Sequence, residues 1–209
     1  MSNSVVDPKK CAVIVIDMAN DFVYPGGVLA EAGGPAYQVK AKEVIEPIRQ
    51  LINAARESGV TVVYATDCHD KGDAELKKWP PHSMRGTHGG EIVPDLTPQT
   101  GDVILKKQTY SAFQNTNLDE ILKDKGIETL YFTGLHTDCC VRHTSGDAFQ
   151  RGFEMVWVTD TLQAFTEEAH QTGLDYFKTW YAIDPDRQFK TSNEVVAEWH
   201  GASTGRATD

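Results

Sequence analysis

Short, unbroken apolar runs punctuate the chain at residues 11–17, 61–67, 102–106, 129–133 and 153–159, with a weaker one at 187–190. Those at 11–17, 61–67 and 129–133 predict buried strands, as in a parallel sheet, and the others predict further strands. Between the runs, apolar positions recur at helical spacing. Val44, Ile45, Ile48, Leu51, Ile52 and Ala55 mark a helix over 36–58, with Gly59 as its stop and Pro47 predicting a kink or a start nearby. Leu118, Ile121 and Leu122 mark a short helix over 117–125, and Leu174, Phe177 and Tyr181 one over 166–182. Val141, Thr144, Ser145, Ala148 and Phe149 give a helix capped by Thr137 or Asp138, and 194–199 a last amphipathic turn. Residues 18–35 read as a loop rich in Gly and Pro. The long connection 68–100 reads as a functional one, because its Trp-Pro-Pro-His core argues against disorder.

Strands alternating with helices predict an α/β fold: a single-domain, doubly wound, Rossmann-like parallel sheet of about six strands with helices on both faces. The domain is expected over residues 1–200, with 201–209 as a disordered tail. The chain's 209 residues, 40% hydrophobic and 24% charged, suffice for one full core. A net charge of −10 without any basic block argues against nucleic acid and anionic membrane as partners. No apolar run is long enough to span a bilayer, and residues 1–10 lack a signal-peptide core. Cys11, Cys68, Cys139 and Cys140 have no paired spacing, so reduced thiols in a cytoplasmic protein are expected.

In such sheets ligands bind beyond the carboxyl ends of the strands. Those ends carry Asp17, Asp67 with His69, Lys107, and the loop to Cys140. A cysteine in a first helical turn meets free amides and the positive end of the dipole, which favours thiolate. As a small buried hydrophobe, the same cysteine would be inert. Asp17 beside it can take the thiol proton, and Lys107, with Lys106 as competitor, can stabilise the anion. Taken singly, Asp17 can equally cap its own loop, and Lys107 can be an edge charge. First-turn amides near Cys140 and the amide of His136 can cradle an oxyanion, so acyl transfer through a thioester follows. Asp67, His69 and His82 form an acid–imidazole set suited to divalent zinc, iron or manganese. His88, His143, His170 and His200 read as surface or packing residues, and the glycines at 26, 27, 33 and 34 have no phosphate role.

Five stretches in register resemble the isochorismatase-like cysteine hydrolase superfamily, and within it the nicotinamidases: Val-Ile-Asp17-Met-Ala-Asn-Asp-Phe22, Asp67-Cys-His69, Trp79-Pro-Pro-His82-Ser-Met-Arg-Gly-Thr87, Lys107-Gln-Thr-Tyr-Ser-Ala-Phe113 and Gly134-Leu-His-Thr-Asp-Cys-Cys140-Val-Arg142. The resemblance implies a catalytic Asp17, Lys107 and Cys140, choosing Cys140 over Cys139 and Lys107 over Lys106. It implies a cis peptide between Leu135 and His136 that aims the His136 amide at the oxyanion. It implies a metal, zinc foremost, on Asp67, His69 and His82, with Glu75 where some members supply one more ligand. Phe22 and Trp79 match positions that pack the substrate ring. The expected activity is hydrolysis of nicotinamide to nicotinate and ammonia by a homo-oligomer. The alternatives are another small carboxamide or isochorismate as substrate, and a non-catalytic or redox α/β module. The departures are His136 for a small residue, Cys139 for an aromatic or aliphatic one, Cys68 for Trp and Ser83 for Cys.

Overall fold

Every residue of β1 (Cys11–Ile16) is buried, as an unbroken apolar run requires of a strand with sheet on both edges and helices on both faces. The computed structural model describes residues 6–204. In it β1 pairs with β2 (Thr61–Asp67) on one side and β4 (Thr129–Leu135) on the other. Beyond β2 lies β3 (Val103–Lys107), and beyond β4 lie β5 (Glu154–Gln163) and β6 (Phe189–Lys190). The sheet runs β3-β2-β1-β4-β5-β6 with all pairs parallel. Strand order reverses between β1 and β4, so a crevice opens beyond their carboxyl ends.

Alternate residues of β1 face two separate cores. Val13 and Val15 meet α2 (Val28–Glu43), α3 (Ile45–Ser58) and α8 (Ser192–Thr204) through Tyr37, Ile48, Leu51, Ile52, Val195 and Trp199. Ala12, Ile14 and Ile16 meet α4 (Leu118–Asp124), α5 (Cys140–Gln150) and α6 (Glu167–Trp180) through Leu118, Leu122, Val141, Ala148, Leu174 and Phe177. Trp157 of β5 stacks on Phe177 at 4.9 Å and gives its indole N–H to Ser145. Burying such a ring stabilises the fold by about 2–3 kcal/mol. Among the described residues, no helix is long and apolar enough to cross a membrane.

Several boundaries differ from the periodicity. The 18–35 stretch is not a plain loop: it holds α1 (Asn20–Val23) and the first half of α2. The run Gly33-Gly34-Pro35 interrupts α2, where Gly34 has φ +77°, and this break masks the helical spacing. Pro47 sits in the first turn of α3, where a missing N–H costs nothing, so it neither kinks nor ends the helix. β3 includes Lys107, and β5 runs on to Gln163 beyond a register shift against β4. A short α7 (Pro185–Gln188) precedes β6. The predicted disordered tail does not begin at 201, because α8 continues to Thr204 and buries Ala202. Positions 205–209 lie outside the described residues. The 68–100 connection contains three 3-10 turns, and His69 bridges to Met84.

Gly134 is the tightest joint of the switch point. Its φ is +101°, and a Cβ there would lie 2.0 Å from the Ile16 carbonyl oxygen on β1. Both the left-handed backbone and the close approach require glycine. Gly134→Ala is expected to destabilise the protein by roughly 2–4 kcal/mol, read as a shift in the urea midpoint.

Candidate active site

The loop leaving β1 places Asp17 at φ +51°, a left-handed geometry that Asp tolerates better than most residues. Its amide donates to Ala65 O, and its Oδ1 accepts the amide of Asp67 at 2.9 Å. Oδ2 lies 2.8 Å from Lys107 Nζ without a well-directed hydrogen bond. Lys107 closes β3 with its ammonium fully buried; Nζ donates to Asp67 Oδ1 at 2.5 Å and to Thr109 O at 3.2 Å. Register explains the burial, since Lys107 pairs with Asp67 while Lys106 points out to solvent.

Cys140 opens α5 and is buried. Its thiol feels the Lys107 and Asp17 charges. The Leu135–His136 peptide is cis. No backbone carbonyl among the described residues takes the amide of His136 or of Cys140. A thiol, a carboxyl group, an ammonium and two unpaired amides thus meet at the switch point.

Burial, together with the Asp67 charge, raises Asp17 to about 7, against the pull of Lys107. Burial would also raise Asp67, but the Lys107 charge and the nearby His69 and His82 imidazoles hold it well below the usual carboxylate range. Lys107 stays charged, because Asp17 and Asp67 outweigh its desolvation. The hydrogen bond with Cys139, burial and the Asp17 charge push the Cys140 thiol up, and Lys107 only partly opposes them. The neighbouring Cys139 and burial thus oppose the pull of the first-turn amides toward thiolate at Cys140.

Asp67, His69, Glu75 and His82 converge with their ligand atoms all within 4.8 Å of one another. Nε2 of His82 lies 3.7 Å from both Asp67 Oδ2 and Glu75 Oε1, and Nε2 of His69 lies 3.6 Å from Asp67 Oδ2. Asp67 Oδ2, both Nε2 atoms and Glu75 Oε2 are buried without a hydrogen-bond partner. Each Nδ1 is engaged on the far side, in His82 by Pro80 O and in His69 by Asp73 Oδ2, which turns the Nε2 lone pairs inward. Orphaned donors, fixed tautomers and two carboxylates fit a divalent cation. The Asp67 and Glu75 carboxylates, each 3.7 Å from His82 Nε2, outweigh burial and lift His82 to about 10; Asp67 lifts His69 as well. Loading the set must therefore displace protons. Titrating zinc into metal-stripped protein at pH 7 is expected to release about one proton or more per site in weak buffer, and Asp67→Asn to release markedly less.

Aromatic rings wall the crevice. Phe22 meets the His82 ring edge-on at 5.8 Å and the His136 ring at 5.7 Å. Phe165 lies 4.2 Å from His136 and 5.8 Å from Trp79, whose indole donates to Tyr110. Tyr37 and Phe165 are absent from the sequence reading: Tyr37 lies in the interrupted α2, and Phe165 lies just past a strand taken to end at 159. Their signal is faint, an aromatic among polar neighbours. Asp21 anchors the 68–100 connection instead of facing the crevice, accepting the amides of Ser83 and Val28. A separate surface cavity of about 620 Å³ lies at the amino ends of the strands, near Cys11, Thr129 and Glu154, and holds none of these residues.

Residues 11–184 match the Isochorismatase domain family. The chain is 35% identical over 207 residues to ureidoacrylate amidohydrolase RutB of Caulobacter vibrioides, covering 87% of this chain and 91% of that protein. It also resembles the crystal structure of nicotinamidase PncA from Bacillus subtilis, with TM-score 0.75, 34% identity, and 82% and 96% of the two chains covered. Pyrazinamidase of Pyrococcus horikoshii in complex with zinc aligns with TM-score 0.74 at 29% identity, over 87% of this chain and 98% of that one.

Proposed function

The chain belongs to the isochorismatase family, and from that premise we propose that it is a metal-assisted cysteine amidohydrolase whose substrate is nicotinamide. The observation that carries this reading is the four-donor set sharing Asp67 with the Asp17–Lys107–Cys140 cluster. A carboxamide over Cys140 then has its ring within reach of a cation site, between the Phe22 and Trp79 walls. The similarity to a nicotinamidase and to a zinc-bound pyrazinamidase supports the same substrate class.

As the sulfur attacks the amide carbon, Asp17 takes the Cys140 proton and then passes it to the departing nitrogen, which leaves as ammonia. The amides of His136 and Cys140 take the charge that develops on oxygen. Asp17 next deprotonates the water that cleaves the thioester and returns the proton to sulfur. Lys107 holds both carboxylates in place, and keeps Asp67 ionised. When bound at Asp67, His69, His82 and Glu75, a divalent cation, zinc foremost, supplies a Lewis acid for a pyridine nitrogen lone pair.

Asp17 can accept the thiol proton only as carboxylate. With its pKa at about 7, kcat/KM is expected to fall as pH drops below 7. A pH–rate profile flat down to pH 5 would rule out Asp17 as the base.

The second reading, a ureido-type or other small carboxamide, draws on the 35% identity to a ureidoacrylate amidohydrolase. Ammonia release from nicotinamide, pyrazinamide and ureidoacrylate, before and after chelation, separates the two. Nicotinamide turnover lost on chelation and restored by zinc supports the first. Turnover of ureidoacrylate alone, indifferent to chelation, replaces it with the second.

A further inference from the structure

The His136 side chain has an assignable protonation pattern. The Tyr37 hydroxyl lies 2.9 Å from Phe22 O and 2.7 Å from His136 Nε2. It has one proton, and a carbonyl oxygen can only accept. The hydroxyl therefore donates to Phe22 O, and Nε2 must carry hydrogen and donate to the hydroxyl oxygen. Nδ1 is left with a bare lone pair and no partner among the described residues.

That state is locked. Tyr37 is almost wholly buried, and Phe22, Tyr37 and Phe165 crowd the imidazole at 5.7, 5.3 and 4.2 Å, which blocks a ring flip. Burial, with the charges of Lys107 and His82, brings the ring down to about 3 and keeps it neutral near pH 7.

Of the two ring nitrogens, Nδ1 is the one nearer the main chain, and the amide of the same residue is also unpaired. Turned to the same side as that amide, Nδ1 would pair an acceptor with a donor, the complement of the N–H and C=O of a single carboxamide. An ester would set an oxygen lone pair against Nδ1, and the acceptor would go unmatched.

We infer that His136 Nδ1 accepts a hydrogen bond from the amide nitrogen of the substrate and so selects primary carboxamides over esters of the same acid. This rests on the amide-hydrolase reading but not on nicotinamide as its substrate.

The test compares kcat/KM for the primary amide and methyl ester of nicotinic, pyrazinoic and benzoic acids in native protein, His136→Asn, His136→Gln and Tyr37→Phe. Asn places its carbonyl oxygen where Nδ1 stands, whereas Gln reaches the Nε2 position and leaves the Nδ1 position empty. The expected result is an amide-to-ester ratio within about threefold of native for Asn and at least about tenfold lower for Gln. Tyr37→Phe, which frees the tautomer, is expected between them. Amide and ester rates falling together in every variant, or a ratio untouched by Gln, overturns the inference and leaves His136 as a wall. A native protein that cleaves the esters but no carboxamide overturns the hydrolase reading itself. Thermal melts of each variant separate misfolding from either result.

Discussion

Cys140→Ala is expected to release no ammonia above background, a loss of about ten-thousand-fold or more in kcat/KM, with little change in the thermal midpoint. The sulfur is the one nucleophile that meets the buried acid–base group and two unpaired amides at once. Removing it deletes the bond-forming atom, while the small alanine side chain still fits the first turn of α5. Cys139 is the built-in control. It is half-exposed, and its thiol is drawn down to about 6 by hydrogen bonds with Cys140 and His143, so it is the more readily ionised of the two. Ease of ionisation would nominate Cys139, whereas position nominates Cys140. Cys139→Ala is expected to keep turnover within about tenfold of native. Ammonia assays on both variants decide; full turnover by Cys140→Ala would dismiss the thioester route.

Lys107→Met carries the second large effect, on stability as well as rate. The ammonium is the cation between two fully buried carboxylates, at 2.8 Å from Asp17 and 2.5 Å from Asp67. Removing one partner of such a pair costs about 3–5 kcal/mol, because the remaining charges stay buried without compensation. The pH dependence has a definite sign. Without Lys107 the carboxyl of Asp17, already at about 7, rises further above its unfolded value, so the fold binds more protons than the unfolded chain does. Its protonated form then supports the fold at low pH, and that support is lost as pH rises through the raised value. Urea unfolding is expected to find Lys107→Met several kcal/mol below native at pH 8 and closer to it at pH 5. Equal deficits at both pH values would mean that the lost contribution is packing and not charge.

The sheet was legible because parallel strands write themselves as continuous apolar runs, and their polar terminators fall at the carboxyl edge. Asp17, Asp67, Lys107 and Cys140 could be set together from one dimension for that reason. Choosing Lys107 over Lys106 required the resemblance, although the coordinates give a plain cause: alternation buries 105 and 107 and exposes 106. Two kinds of information were not in the pattern. Tyr37 and Phe165 reach the crevice from a broken helix and an under-measured strand, so periodicity had no stripe in which to place them. The protonation state of Cys140 depends on how completely it is enclosed, which no local spacing encodes. Helix-end electrostatics argued for thiolate, whereas the adjacent Cys139 and desolvation in a packed site pull the other way.

Asp67 spends its two oxygens in different directions, Oδ1 on Lys107 and Oδ2 on the imidazoles. Whatever occupies one flank alters the electron density available to the other. A cation held at Oδ2 would slacken the grip of Oδ1 on the ammonium and let it lean toward Asp17 and the sulfur. Ion occupancy and thiol reactivity would then be thermodynamically linked through a single carboxylate.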